Sequence, residues 1–209
     1  GKALGFAHIG FSRPPIAEAE QFLQEWLGKG YHGDMEWMAR HGKRRSRPEE
    51  LVAGTVSIIS VRLDYLTEAD PARMEQLLSE DEKAYVSRYA LGRDYHKMLR
   101  RRLQRLADRI AETIGPFGYR AFVDSAPVLE KAIAEQAGLG WIGKNTLVLN
   151  RKAGSYFFLG ELFVEGGNRM RAIYDCVFHY GMITFLLQFG NTPRRHGTSD
   201  IGLGSLSQT

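Results

Sequence analysis

Apolar positions change period several times along the chain, and each change marks an expected element. Phe6 to Phe11 reads as a short strand that Pro14-Pro15 breaks. Ile16, Ala19, Phe22, Leu23, Trp26 and Leu27 then recur at helical spacing until Gly28 and Gly30 end the run. In the segment Tyr31 to His41, Asp34 is expected to cap a short helix whose apolar side is Met35 and Met38. Thr55 to Val61 is β-branched and strand-like. The clearest helix is Asp94 to Thr113, where Leu99, Leu103, Leu106 and Ile110 fall within about 60° of one another at roughly 100° per residue. Arg93, Lys97, Arg101 and Arg105 project from its other side.

Gly115-Pro116-Phe117-Gly118 is a turn, Tyr119 to Val123 a strand ending at Asp124, and Ser125 to Ala137 a helix with Pro127 tolerated in its first turn. Asn145 to Asn150 and Ser155 to Val164 flank Arg151-Lys152-Ala153-Gly154 in the pattern of a β-hairpin. Alternating strands and helices predict an α/β domain, with α+β as the alternative: a mixed sheet with flanking helices over residues 1–165. From 166 to 209 the character changes to an irregular, glycine- and serine-containing tail, expected to be poorly ordered.

Composition narrows the chemistry. A chain of 209 residues, 44% hydrophobic and 25% charged, is sufficient for a sizeable core. Its single cysteine, Cys176, excludes an internal disulfide framework and any cysteine-ligated zinc or iron–sulfur site built from this chain alone. No apolar run reaches the roughly 18 residues that span a bilayer, and a secretory h-region is absent from the start, so a cytoplasmic monomer with no membrane partner is expected. The net charge of +4 is unevenly placed: Arg88 to Arg109 holds eight basic residues against two acids. Few acids interleave on the Arg93, Lys97, Arg101, Arg105 face, so it reads either as a solvated surface or as a nucleic-acid contact.

Gly138-Leu139-Gly140-Trp141-Ile142-Gly143-Lys144-Asn145 fits the spacing of a dinucleotide fingerprint and nearly that of a phosphate loop. Both need a strand before and a helix after, and here the order is reversed, so a helix C-cap followed by a glycine turn is the better reading. The six histidines lack tight metal-ligand spacing. Asp124, where a strand gives way to a helix, has two readings: a helix cap, or a carboxylate facing a crevice at a strand end. An apolar ligand above it would favour the protonated form and let it act as a general acid.

Four segments taken in order resemble the epoxyqueuosine reductase family: Tyr31-His32-Gly33-Asp34-Met35-Glu36-Trp37-Met38, Tyr85 to Lys97 with Arg93-Asp94-Tyr95-His96-Lys97 at its end, Val123-Asp124-Ser125-Ala126-Pro127, and Ala137 to Asn145. The resemblance runs over about residues 4 to 165. It implies a cobalamin-dependent oxidoreductase that removes the epoxide oxygen of epoxyqueuosine in the anticodon region of tRNA, giving queuosine, with an external electron donor. It also implies that Asp124 is the proton donor and that the corrinoid is contacted by Asp124, Arg40, Ser87, Val148 and Leu159, with Lys144 a further candidate. Arg93, Lys97, Arg101 and Arg105 are then expected to meet tRNA.

Family members continue into a region whose cysteines hold two [4Fe–4S] clusters and then into helical repeats. The resemblance stops near Glu165, and one cysteine ligates no such cluster. A truncated or frame-shifted product is the expected origin of the tail, with a divergent extension as the alternative, and a chain of this kind is expected to be inactive alone. Two competing readings remain: a small basic RNA-binding module without redox chemistry, and a remnant that folds incompletely.

Overall fold

A sheet with apolar side chains on both faces must be covered twice, and the helices of this chain divide between the two sides. The computed structural model describes residues 2–66, 71–124 and 126–166. After a short 3₁₀ turn, the chain forms β1 (His8–Ser12), α1 (Ala17–Gly28), α2 (Pro48–Leu51) and β2 (Thr55–Asp64). Next come α3 (Pro71–Leu78), α4 (Tyr95–Ile114), β3 (Tyr119–Phe122) and α5 (Glu130–Gln136). The last described elements are β4 (Trp141–Ile142), β5 (Val148–Leu149) and β6 (Phe157–Glu165).

The main sheet has the order β1-β2-β6-β3, and β4 pairs with β5 in a separate two-stranded sheet. Along β2 and β6 the two faces separate by alternation. Ile59, Val61, Leu63, Leu162 and Val164 pack with Leu99, Leu103, Leu106 and Ala107 of α4. Ile58 and Phe163, which pair across the strands, turn the other way and join Phe122, Ile133, Val128 and Ile16. β2 is therefore buried along nearly its whole length, which explains why its sequence lacks the polar alternation of a one-sided strand. Gly10 lets the end of α5 settle on β1, since a Cβ there would stand 2.0 Å from the Ala137 carbonyl oxygen.

Several expectations are borne out. Helix α4 starts with Asp94 as N-cap, whose side chain accepts the His96 N–H at 3.0 Å. The glycine turn after α5 is a C-cap: Gly138 has φ 73°, its N–H bonds the Glu135 carbonyl at 3.0 Å, and the Leu139 N–H bonds that of Ala134 at 2.9 Å. A strand follows it, not a helix, so the geometry of a dinucleotide loop is not formed.

Others are corrected. The sheet is antiparallel at every pairing among the described residues, so the α+β alternative holds and a mixed sheet does not; β6 is inserted between β2 and β3, which run in the same direction, are joined by a crossover through α3 and α4, and do not pair with each other. The expected hairpin across residues 151–154 is only a tight loop closed by an Asn150–Gly154 bridge. Its first arm pairs with β4 and its second enters the main sheet, where the longer β2 offers more apolar surface. Asp34 makes no side-chain cap; the short turn at Glu36–Met38 is 3₁₀, with Met35 at its N-cap position. Helix α5 is shorter than expected because Ala126 to Val128 form a tight turn, with the Val128 N–H on the Ala126 carbonyl at 2.8 Å, and its N-cap is Leu129. Residues 167–209, the bulk of the expected irregular tail, lie outside the described residues, as do Ser125 and Cys176.

Candidate active site

Asp124 follows the end of β3, one residue beyond the fully buried Val123. Its φ of 53° places a non-glycine residue in the left-handed region, a conformation that Asp tolerates better than most but that surrounding contacts must hold. With the N-cap of α5 at Leu129, Asp124 caps no helix. Its carboxylate is instead met by the first turn of α4: the Tyr95 hydroxyl donates to Oδ2, and His96 Nε2 lies 3.2 Å from the same oxygen.

Those two groups are themselves fixed. The ring of His96 bridges two carboxylates, with Nδ1 2.9 Å from Asp94 Oδ1. Hydrogen bonding from that side chain holds the Asp94 carboxyl below its ordinary range. Tyr95 is sandwiched by rings, parallel to Phe158 at 4.0 Å between centroids and stacked on His96 at 4.0 Å. Burial, reinforced by its bond to Asp124, pushes the Tyr95 phenol well above its ordinary value, so it remains a neutral donor. The helix cap, the aromatic stack and the carboxylate thus form one continuous chain of contacts.

Beside this group lies a cavity of about 580 Å³ with aromatic and aliphatic walls, among them Tyr65, Tyr89, Tyr156 and Phe158. Its size and apolar lining suit a small-molecule or cofactor site. Of the six residues expected to contact a corrinoid, Ser87, Asp124, Val148 and Leu159 line this cavity. Arg40 and Lys144 do not; both are exposed elsewhere. Lys131 lines the cavity and donates to the Thr146 carbonyl at 2.8 Å. A second hollow of about 850 Å³, walled by Phe22, Trp37 and Ile142, meets the first at Asp124, Glu130 and Lys131. Asp124, with its side chain 58% exposed, therefore stands between two open spaces and is accessible from them.

Behind Asp124 sit two acids that sequence reasoning missed. Its backbone N–H donates to Glu130 Oε1, and Glu130 in turn meets Glu161 of β6, which is fully buried. The signal for Glu161 was a single charge inside the apolar run Phe157 to Val164. Tyr95 and His96 belong to a segment that the family resemblance highlighted, yet no role for them was legible there, because the contacts with Asp124 span 29 and 28 residues.

On α4, Lys97, Arg101 and Arg105 are exposed along one side, and Arg93 is exposed just before the cap. The row begins one residue beyond His96 and extends for about 12 Å at 1.5 Å per residue. Among the described residues no group of three or more His, Cys, Asp or Glu is arranged to hold a metal ion, and no helix is long and apolar enough to cross a membrane.

Comparison with known proteins agrees with this layout. A family profile described as epoxyqueuosine reductase QueG, DUF1730, matches residues 45–125. The chain is 68% identical over 165 residues to the epoxyqueuosine reductase of Pseudomonas aeruginosa, covering 79% of this chain and 45% of that one. To the Escherichia coli enzyme of the same name it is 53% identical over 165 residues, with 79% and 43% covered. The structure of epoxyqueuosine reductase from Streptococcus thermophilus superposes with a TM-score of 0.62 at 29% identity, over 78% of this chain and 43% of that one. A further epoxyqueuosine reductase, crystallised with an epoxyqueuosine-modified tRNA-Tyr stem loop, shares the fold with a TM-score of 0.60 at 24% identity, over 78% and 42%. The chain spans a little under half the length of the curated relatives it matches.

Proposed function

We propose that this chain, which belongs to the epoxyqueuosine reductase family, carries the part of such an enzyme that binds a corrinoid and protonates the substrate, with Asp124 as the acid. The observation that carries this reading is the convergence of Tyr95 and His96 on Asp124 at the edge of an aromatic-walled cavity.

The residues present fit a corrinoid. A broad, flat macrocycle needs apolar walls with a few polar groups at the rim, and the 580 Å³ cavity offers Tyr65, Tyr156, Val148 and Leu159 as walls and Ser87 and Lys131 as polar partners. When bound, the cofactor would supply low-valent cobalt as the immediate source of electrons for the epoxide. Removing an epoxide oxygen as water and leaving a double bond consumes two electrons and two protons. The oxygen departs poorly as an alkoxide, and a proton placed on it from Asp124 lowers that barrier. The bonds recorded from Tyr95 and His96 both fall on Oδ2, an arrangement that orients the carboxyl toward the cavity. His96 is placed to return a proton to Asp124 after each turnover.

The tRNA partner is supported by the exposed Lys97, Arg101 and Arg105 row, which starts beside the site and would bring a phosphate backbone past it. The domain boundary near residue 165 and an external electron donor belong to the same proposal. Adding cob(II)alamin to the purified chain should change its visible spectrum in a saturable way. A flat titration against a chain with cooperative unfolding overturns the corrinoid assignment; the same titration with tRNA binding retained favours a plain RNA-binding module.

A further inference from the structure

Glu161 is the least expected residue in the sheet. It lies on β6 between Ser60 of β2 and Phe122 of β3, with no exposed surface. A carboxylate there would be an uncompensated buried charge, which is too costly unless paired. Among the described residues the ionisable side chain that acts on it is another acid, Glu130. Arg62, one pleat along β2, is paired with Asp64 at 2.9 Å and lies over the Phe157 ring. Neither Glu161 oxygen receives a donor among the described residues, and the Ser60 hydroxyl is likewise unpartnered there. Around Glu130 the titratable groups are Asp124, Glu161 and His96.

We propose that Glu161 is held as a neutral carboxylic acid whose hydrogen is donated to Glu130, and that the pair positions Asp124 through the bond from its backbone N–H to Glu130. Burial pushes the Glu161 carboxyl well above its ordinary value, and the neighbouring Glu130 pushes it the same way. Burial also raises Glu130, to about 7. The two therefore release their protons in separated steps, as one coupled unit. Near neutral pH, Glu130 ionises while Glu161 keeps its proton, so Glu130 accepts from Glu161 on one side and from the Asp124 N–H on the other. That second bond holds Asp124 in its left-handed conformation, with its carboxylate delivered to Tyr95 and His96. Glu130 and Glu161 are positioning residues: they act through the Asp124 backbone. This inference rests on Asp124 being the acid only for its catalytic consequence; the proton-sharing pair is a property of the chain itself.

The test has an arm for each part. In this chain with carboxyl-labelled glutamate, the Glu161 carbon should show a protonated carboxyl through neutral pH, and the Asp124 amide should titrate with a midpoint near about 7. A Glu161 carbon that titrates in the ordinary glutamate range overturns the proposal. Both groups bind protons more tightly folded than unfolded; the stabilisation from Glu130 is fully present below its unfolded value of 4.5 and is lost as pH rises through about 7, and that from Glu161 persists to higher pH. The urea midpoint should therefore decline across that window, and Glu130→Gln should make the decline shallower, leaving the share that belongs to Glu161. In an enzyme completed to the length of its relatives, Glu161→Gln, which keeps a neutral donor, should turn over like wild type. Glu161→Leu should lower kcat between about 10- and 100-fold with KM for tRNA unchanged. Equal loss in both variants, or none in Glu161→Leu, overturns the positioning role. Wild-type turnover by Asp124→Asn would instead remove the acid assignment and leave the carboxyl titration intact.

Discussion

At the scale of single residues, the site depends on where one carboxylate is pointed and how it is supplied with a proton. Asp124 receives Tyr95 and His96 at Oδ2 while its backbone N–H is held from behind by Glu130. Asparagine in its place is nearly isosteric and preserves the tolerance of a left-handed φ. It cannot deliver a carboxyl proton. Asp124→Asn in a length-completed enzyme should therefore keep corrinoid binding, read from the visible spectrum, and lose roughly 10²–10⁴-fold in turnover, the usual worth of a positioned general acid. Turnover within a few-fold of wild type would mean that the proton comes from elsewhere. The sequence offered two readings of Asp124 and could not choose between them on local grounds. The choice was made by non-local facts, the start of α5 at Leu129 and the arrival of Tyr95 from a helix some thirty residues earlier. Glu130 and Glu161 were missed for the same reason, since a buried acid pair leaves no short-range spacing to detect.

At the scale of elements, α4 serves three purposes with three parts of its surface. Leu99, Leu103, Leu106 and Ala107 bury against the sheet, the Asp94 cap and first turn hold Asp124, and Lys97, Arg101 and Arg105 face outward. This helix was legible from sequence almost to the residue, because a long 3.6-residue period and an N-cap aspartate agree with each other. The β5 arm was not legible: a short apolar run carries no label for its partner, and Asn145 to Asn150 read equally well against either neighbour. The outward row makes a separable prediction. If it contacts tRNA phosphates, Lys97→Ala with Arg101→Ala should flatten the plot of log affinity against log salt by about 1.4 to 1.8 in slope, each lost contact removing about 0.7 to 0.9. The cobalamin spectrum should not change, as neither side chain lines the cavity. An unchanged salt slope would identify the row as solvated surface.

At the scale of the whole molecule, the proposed reaction would take electrons and protons by different routes, and the described residues supply groups for the second. In the proposed reaction the proton path runs from His96 to Asp124, and both lie among the described residues. Electrons would need another source: cysteine-ligated clusters take about four thiolates each, and the chain has one cysteine. It spans a little under half the length of its Pseudomonas relative. Turnover by the chain should therefore be limited by electron supply and not by the acid. With a flavodoxin or ferredoxin system as donor, multiple turnovers on epoxyqueuosine tRNA are not expected. A low-potential chemical reductant would reduce a bound corrinoid without a protein relay, and with it the chain should show measurable product that disappears in Asp124→Asn. Comparing the two donors on one preparation separates a missing relay from a defective pocket. Sustained turnover with the protein donor would show that cobalt receives electrons without clusters, whereas a corrinoid-loaded chain that forms no product with either donor would place a further requirement, such as tRNA positioning, outside residues 2–166.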